Sequence, residues 1–194
     1  MECNDVVNSL IDEFKIKLPK MNLVDSEKTV YKKYPWIELS EQIVRDQNDH
    51  KTNYIRIKRP NFSMILLKNK LDQILFQLRY RLGSKSYVLE LPAGICEEEE
   101  NAEECAHREL KEELGISNVK LEFLNSCYLD AVRSECNGYF FMGIIDLKVN
   151  PKAENIEGEL EESTFFWMEK SLIKKYQIMM STSTLSALLL GNIF

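Results

Sequence analysis

The stretch from Gly94 to Ile116 reads GICEEEENAEECAHRELKEELGI, and the rest of the chain can be placed around it. Between about Asn101 and Leu114 it is rich in Glu, Ala, Leu and Lys, which are residues that favour an α-helix. Gly115 follows at once, and glycine is a common residue just beyond the end of a helix. The stretch therefore predicts a loop that leads into one helix.

Three glutamates of this helix share one face. Glu109, Glu112 and Glu113 stand at positions i, i+3 and i+4, which are neighbours on a helix surface. Glu113 also projects between apolar residues, where a carboxylate is costly unless a positive group meets it. Hard divalent cations such as Mg²⁺ take oxygen ligands and usually keep waters and substrate phosphates. The face is therefore predicted to bind metal; the alternative is a solvated acidic helix. The apolar stripe consists of Ala102, Ala106, Leu110 and Leu114.

The negative charge of the chain is concentrated in the same stretch. Residues 94–116 hold nine glutamates against Arg108 and Lys111, a net charge of −7, while the whole chain carries −6, so the remainder carries +1. A pyrophosphate could not dock on such a surface without cations. The acidic balance also argues against nucleic acid as the main partner.

The spacing of this stretch resembles the Nudix box, the signature of hydrolases that cleave a nucleoside diphosphate linked to another group. The pattern is Gly, five residues, Glu, seven residues, Arg-Glu, an aliphatic residue, one residue, Glu-Glu, one residue, Gly and an aliphatic residue, and every specified position is matched. The resemblance implies an α/β fold, the Nudix α/β/α sandwich, and Mg²⁺ as cofactor, for which Mn²⁺ is expected to substitute. It implies that Glu109, Glu112 and Glu113 bind the metal and that Glu112 and Glu113 are catalytic. Structural roles in the box fall to Gly94, Glu100, Arg108 and Gly115.

Two segments before the box are similar to the ADP-sugar pyrophosphatase subfamily. They are Arg79-Tyr80-Arg81 and Leu89-Glu90-Leu91-Pro92-Ala93-Gly94. In that subfamily an arginine at the end of this strand contacts the phosphate side of the substrate, and arginine binds phosphate oxygens in a fork. Arg79 and Arg81 are therefore predicted to bind substrate, and the alternative for Arg81 is a surface arginine. In that family the residue at the Ala93 position gives its backbone carbonyl to the metal, so the resemblance implies the same role for Ala93.

An acidic loop after the last long strand is a second source of carboxylates. In Nudix enzymes that act on ADP-ribose and related sugars, a glutamate of this loop assists as general base or metal ligand. The run Glu157-Gly158-Glu159-Leu160 resembles that loop. Glu157 and Glu159 are both candidates for a catalytic role, with the choice between them open, and the alternative is a solvated linker.

Aromatic residues nearer the N-terminus resemble the base-binding part of ADP-sugar pyrophosphatases. Trp36 opens the run Trp36-Ile37-Glu38-Leu39, and Tyr54 follows eighteen residues later. In the subfamily two such aromatics sandwich adenine, one of them reaching over from a dimer partner, and aromatic faces suit bases. Trp36 and Tyr54 are therefore predicted to bind substrate in a homodimer; the alternative is a core tryptophan and a strand tyrosine. The subfamily's proline about fifteen residues past the box is missing from Asp130-Ala131-Val132-Arg133.

The remaining pattern predicts strands on both sides of the box helix and helices at the end of the chain. Residues 1–26 are predicted to form a short amphipathic helix and a linker, and residues 28–59 a small antiparallel meander. The predicted strands that follow are 62–67, 73–81, 87–91, 119–128, 139–149 and 164–168, and the closing helices are predicted at 169–176 and 182–190.

The length of 194 residues and an apolar fraction of 44% suit one domain with a small appendage. We expect residues 1–58 to form an N-terminal arm and β meander for dimerisation and base binding, and residues 59–194 to form a Nudix hydrolase domain. No stretch approaches the ~20 apolar residues of a membrane span, and the N-terminus lacks a signal peptide's apolar core. Five cysteines without a CxxC pair favour free thiols in a reducing cytosol. A cytoplasmic protein with no membrane partner is expected.

The expected function is Mg²⁺-dependent hydrolysis of a nucleoside diphosphate sugar such as ADP-ribose. The expected products are a nucleoside monophosphate and a sugar phosphate. One alternative is a hydrolase of nucleoside triphosphates, modified nucleotides or other nucleoside diphosphate derivatives. A different class is a Nudix-fold sensor that binds ADP-ribose without turnover, which the intact box disfavours.

Overall fold

The computed structural model describes residues 3–17, 22–146 and 163–193, and these residues divide into two compact units. The first unit takes the chain up to Lys33 together with Glu38–Ile57, and the second takes Tyr34–Ile37 together with Lys58–Phe194. The short segment Tyr34–Ile37 therefore belongs to the second unit, although its neighbours in sequence on both sides belong to the first.

The first unit contains one helix and a three-stranded sheet. The helix is α1 (Cys3–Phe14), and the strands β1 (Leu23–Lys33), β2 (Ile37–Arg45) and β3 (Lys51–Lys58) lie in the order β1-β2-β3, as in a meander. The sheet begins earlier than predicted, because its first strand includes the polar run at residues 25–27, which has no strand-like apolar pattern. That run is held instead by ion pairs: the Asp25 carboxylate lies 2.9 Å from Arg45 Nη2 and 3.2 Å from Lys51 Nζ.

Within its described residues, the second unit is built on a seven-stranded mixed sheet. Its strand order is β10-β5-β4-β9-β8, with β6 added beside β5 and β7 added beside β4. The elements are β4 (Phe62–Asn69), β5 (Gln73–Arg81), β6 (Ser86–Glu90), β7 (Ala93–Ile95), α2 (Ala102–Leu114), β8 (Leu121–Tyr128), β9 (Asn137–Ile145), β10 (Ser163–Glu169), α3 (Lys170–Tyr176), a short 3-10 helix (Gln177–Met179) and α4 (Thr182–Leu190).

Helices cover both faces of this sheet, because alternate residues of a strand point to opposite sides. In β4, Ile65 and Leu67 pack with the apolar side of α2, whereas Met64 and Leu66 pack with the apolar residues of α3 and α4. All four are buried. The predicted α/β/α sandwich is therefore confirmed.

The strands β4 and β5 pair only near their connecting turn, at Lys68 and Ile74. Further along β4 its neighbour is β7 instead, with Ser63 opposite Gly94, and the Ile65 amide donates to the Pro92 carbonyl at 2.9 Å. The segment just before the helix α2 is thereby fixed to the central strand. The short strand β7 was not predicted from the sequence, since three residues are too few for a period to show.

Candidate functional site

The helix α2 has well-formed ends that fix its position. Asn101 accepts from the backbone amides of Glu103 and Glu104, while the Glu104 carboxylate accepts from the Asn101 amide at 2.9 Å, a capping box. At the other end Gly115 takes a left-handed conformation with φ of 65°, and its amide donates to the carbonyls of Leu110 and Lys111 in the last turn. Glu103 and Glu104 also place negative charge near the helix N-terminus, where the helix dipole favours it.

Arg108 ties the loop before the helix to the helix itself. Its Nε donates to Glu100 Oε1 at 2.9 Å and its Nη2 to Glu100 Oε2 at 3.1 Å, a two-pronged pair. Nη2 also donates to the Ile95 carbonyl at 2.8 Å. These bonds hold the pKa of the Glu100 carboxyl below its usual value. Glu104, one helical turn before Arg108, is engaged in the capping box instead.

Glu109 lies against the backbone of the loop. A Cβ built on Gly94 would overlap the Glu109 carboxyl group, so the loop makes room for that carboxylate by having no side chain there. Burial raises the pKa of Glu109, and its hydrogen bond from Arg108 Nη1, at 2.7 Å, works in the opposite direction. A buried carboxylate that is costly to ionise is one that a cation would stabilise.

Glu113 is buried, as the sequence predicts, and its partner comes from the sheet. Arg79 Nη2 of β5 donates to Glu113 Oε1 at 3.3 Å, and only 9% and 7% of these two side chains are exposed. From the sequence, Glu113 is predicted to need a positive group nearby, and a metal is expected to supply it. In the structure the guanidinium of Arg79 already meets that requirement.

Glu112 is the most exposed of the three carboxylates that are predicted to bind the metal. Its side chain is 46% exposed, and its carboxylate accepts from Arg108 Nη1 at 2.8 Å. Arg108 thus reaches two of the three carboxylates, Glu109 and Glu112, through one nitrogen. No group of three His, Cys, Asp or Glu side chains is arranged to hold a metal ion within the part of the chain that the structure describes.

The residues nevertheless fit a hard divalent cation. The donors are all oxygens on one helix face, and Ala93, whose carbonyl is a predicted ligand, stands in β7 directly before the glycine that faces Glu109. In the described arrangement Arg108 supplies the positive charge between Glu109 and Glu112 that a cation would supply in its place.

Arg81, the other arginine predicted to bind substrate, is also paired. Its Nε and Nη2 lie 2.9 and 2.7 Å from Glu90 Oε2, across the β5–β6 pair. Sequence reasoning missed both arginine pairings. For Arg81 the strand pairing gave no signal, because Ser86 lies opposite Arg81 and Glu90 lies opposite Gln77 in the β5–β6 register. For Arg79 there was none either, since its partner is 34 residues away on another element.

The predicted base-binding residues lie in different units. Trp36 is 58% exposed in the segment that belongs to the second unit, and Tyr54 is half-buried in β3 of the first. The reading of Trp36 as a core tryptophan is therefore wrong. The predicted catalytic glutamates Glu157 and Glu159 lie outside the described residues.

A separate cavity of about 500 Å³ lies on the α3 side of the sheet. Its walls are mainly apolar, and none of its residues belongs to the Gly94–Ile116 segment, so it is not where the carboxylates act. Its lining includes Leu78, Leu89, Phe166, Met168, Leu172 and Met179.

The chain is similar to known proteins in sequence and in fold. The model of the family described as NUDIX domain matches residues 57–181. An uncharacterized Nudix hydrolase of Schizosaccharomyces pombe is 26% identical over 92 residues, which cover 47% of this chain and 44% of that protein, so the chain matches less than half of its relative's length. None of the helices in the described ranges is long and apolar enough to cross a membrane.

The fold has a solved counterpart. The crystal structure of an ADP compounds hydrolase matches with a TM-score of 0.68 over 91% of this chain and 95% of that one, at 20% identity. A likeness at that identity shows the shared fold. The family match covers more than half of the chain and includes the whole carboxylate helix. The chain therefore belongs to the family of Nudix hydrolases.

Proposed function

We propose that this protein hydrolyses the pyrophosphate bond of a nucleoside diphosphate sugar such as ADP-ribose, with a divalent cation as cofactor. The observation that carries the proposal is the carboxylate face of α2. Glu109, Glu112 and Glu113 stand at positions i, i+3 and i+4 of that helix, and Gly94 leaves space for the first of them. The products are a nucleoside monophosphate and a sugar phosphate.

The cation is Mg²⁺, for which Mn²⁺ substitutes, and Glu109, Glu112, Glu113 and the Ala93 carbonyl would hold it. When bound, it neutralises the pyrophosphate and lowers the pKa of a coordinated water. The protein's own contribution is orientation. Arg108 fixes the loop through Glu100 and the Ile95 carbonyl, and α2 is capped at both ends, so the carboxylates are presented on a rigid element.

Proton removal from the attacking water is assigned to a carboxylate with solvent access. Glu112 suits that role better than Glu113, because its side chain is 46% exposed while that of Glu113 is 7% exposed. Glu157 and Glu159 remain further candidates for the general base, on the resemblance of their loop to that of ADP-ribose enzymes. Three single Glu→Gln variants, at Glu112, Glu157 and Glu159, separate these candidates: the base is the residue whose loss removes the fall of kcat at low pH, where a general base is protonated.

Two features support an ADP-linked substrate. One solved structure with the same fold is that of an ADP compounds hydrolase. Trp36 also exposes much of its ring, as a residue that stacks on a base must. Arg81, at the end of β5 and 36% exposed, can exchange its bond with Glu90 for one with a substrate phosphate.

One substrate panel tests the proposal. ADP-ribose, other nucleoside diphosphate sugars, nucleoside triphosphates and modified nucleotides are incubated with Mg²⁺ or Mn²⁺, and the released monophosphate and phosphate products are measured. We expect turnover of ADP-ribose that stops in excess EDTA. Preference for triphosphates would support the other hydrolase class. Tight binding of ADP-ribose without any turnover would identify a sensor, and turnover that persists in EDTA would contradict the metal site.

A further inference from the structure

The Gly94–Ile116 segment contains two cysteines for which the proposed reaction has no use. Cys96 directly follows β7, and Cys105 lies in the first half of α2. Both are free thiols; Cys105 is buried and Cys96 is half-buried. Neither position is among the fixed residues of the Nudix pattern. Two thiols so placed are either packing residues or a reactive pair, and their contacts favour a pair.

The two thiols lie at the same short backbone segment, next to Ser63 of β4. Ser63 Oγ lies 3.6 Å from Cys96 Sγ and donates to the Ala102 carbonyl at 2.7 Å. Cys105 Sγ lies 3.6 Å from the Gly94 carbonyl oxygen and 3.8 Å from Arg108 Nη2, and that nitrogen donates to the carbonyl of Ile95, the residue before Cys96. The pairing of β7 with β4, together with the contact of Ser63 with the start of α2, therefore places two cysteines nine positions apart in sequence at opposite ends of the segment Gly94–Cys96.

The surroundings of the pair favour a nucleophilic sulfur on Cys96. The Cys105 thiol, whose single proton can turn from the Gly94 carbonyl to the Cys96 thiolate, lowers the pKa of Cys96 to about 7, with Ser63 and Arg108 acting in the same direction and burial and Glu100 opposing them. The same contact and burial raise the pKa of Cys105. Because the thiolate is the reactive form of cysteine, Cys96 is the sulfur that reacts first and Cys105 the one that follows.

We propose that Cys96 and Cys105 form a reversible oxidation site, at which a peroxide converts the two thiols into an intramolecular disulfide. The Cys96 thiolate attacks one peroxide oxygen, the O–O bond breaks, and the departing hydroxide takes up a proton to become water. The Cys105 sulfur then attacks the resulting Cys96 sulfenic acid; the S–O bond breaks, and hydroxide leaves with the Cys105 proton as a second water. Two thiols are oxidised and one peroxide is reduced.

The disulfide would change the loop on which the carboxylate face depends. Cys105 could no longer donate to the Gly94 carbonyl, and Cys96 could no longer bond Ser63 as a thiol. Gly94 is the residue that faces Glu109, so we expect oxidation to lower the rate of hydrolysis. This consequence rests on the proposed function, whereas formation of the disulfide does not.

A mass measurement tests the bond without any activity assay. Trypsin has no cleavage site between Ser86 and Arg108, and the peptide between them contains both cysteines and no others. Reduced protein is treated with hydrogen peroxide, alkylated under denaturing conditions and digested. We expect this peptide to be two hydrogens lighter than its reduced form and unalkylated, and to accept two alkyl groups after dithiothreitol. A doubly alkylated peptide, a sulfinic acid at Cys96, or linkage of Cys96 to a different cysteine would overturn the proposal.

Variants test whether the disulfide forms at Cys96 and whether it lowers activity through the loop before α2. Cys96→Ser should abolish formation of the disulfide, and Cys127→Ser, which removes a half-buried cysteine outside the segment, should leave it unchanged. On the substrate that the panel identifies, peroxide should remove most of the wild-type activity, dithiothreitol should restore it, and Cys96→Ser should resist the treatment. Equal losses of activity in wild type and Cys96→Ser would show that the disulfide does not act on hydrolysis through the loop. If the protein is inactive on every substrate, the peptide mass still tests whether the disulfide forms.

Discussion

Glu113 is the residue at which metal binding and folding compete. Its carboxylate is buried among the apolar residues of α2, so a positive group must compensate its charge in the folded protein, whether or not a metal is bound. Arg79 meets it from β5 at 3.3 Å. Glu113 can thus be retained for stability through Arg79, for catalysis through a cation, or for both, and two variants separate these uses.

Glu113→Gln should lower kcat by more than about tenfold at saturating Mg²⁺, because the amide keeps the shape but removes an anionic ligand. Glu103→Gln is the matched control, since it removes an exposed carboxylate from the same helix and should leave kcat nearly unchanged. Steady-state kinetics measures kcat of both variants and of the wild type. If Glu113→Gln keeps more than about a tenth of the wild-type rate, Glu113 does not bind the metal directly.

Arg79→Met should destabilise the protein by about 3–5 kcal/mol, because it leaves the Glu113 carboxylate buried without the guanidinium. Adding Glu113→Gln should recover much of that loss, since the neutral amide no longer needs a counter-charge. Urea unfolding of the two single variants and the double variant, all in EDTA, gives the coupling free energy. Additive effects would mean that the two side chains contribute to stability independently, contrary to the geometry.

At the scale of elements, the site depends on how the loop before α2 is held against the helix. Gly94→Ala tests the contact directly. The new Cβ would overlap the end of the Glu109 side chain, which is flexible, so the carboxylate should move while the fold survives. We expect weaker Mn²⁺ binding and lower activity with a nearly unchanged melting temperature. Gly83→Ala is the control, because a Cβ there meets nothing within 4 Å. Equal Mn²⁺ affinity in both variants would show that Glu109 is not a ligand.

The ion pair between Arg108 and Glu100 holds the same loop. Its contribution to the free energy of unfolding should therefore depend on pH. Because the folded state lowers the pKa of Glu100, the stability this carboxylate contributes is present above its unfolded pKa and is lost as pH falls through the folded pKa. Glu100→Gln should thus cost about 1–3 kcal/mol at neutral pH, and the difference from wild type should shrink in acid. Urea unfolding at several pH values measures it; a difference that stays constant with pH would exclude the charge as its cause.

Elements with a clear local period were predictable from the sequence. The bounds of β5 and α4 agree with the prediction, and α2 begins and ends within a residue of it, because apolar periodicity and capping residues act over a few neighbours. What was missed depends on residues distant in sequence: the partner of Arg79, and the short strand β7, which exists because β4 and β5 separate beyond their turn. Such contacts are set by the folded sheet and leave no local pattern.

At the scale of the whole molecule, the chain forms two units of different construction. The second has apolar cores on both faces of its sheet, whereas every residue of β1 in the first is exposed. A small sheet that exposes a full strand together with apolar side chains such as Val24 and Tyr31 is suited to burial against another chain. We therefore retain the proposal of a homodimer formed through the first unit, which sedimentation over a range of protein concentrations can measure.

Trp36→Ala tests whether the exposed tryptophan binds the base. Stacking on adenine contributes about 1–3 kcal/mol to substrate and transition state alike, so KM for ADP-ribose should rise about 5- to 150-fold while kcat stays nearly constant. Because Trp36 is 58% exposed, truncating it should barely change the melting temperature. Tyr87→Ala, which truncates another exposed aromatic of the second unit, should change neither KM nor kcat.

If the partner subunit completes the base site, wild-type affinity should also fall on dilution through the range in which the dimer dissociates. An unchanged KM in Trp36→Ala would remove the residue from the base site and weaken the preference for ADP-ribose over other nucleoside diphosphate sugars.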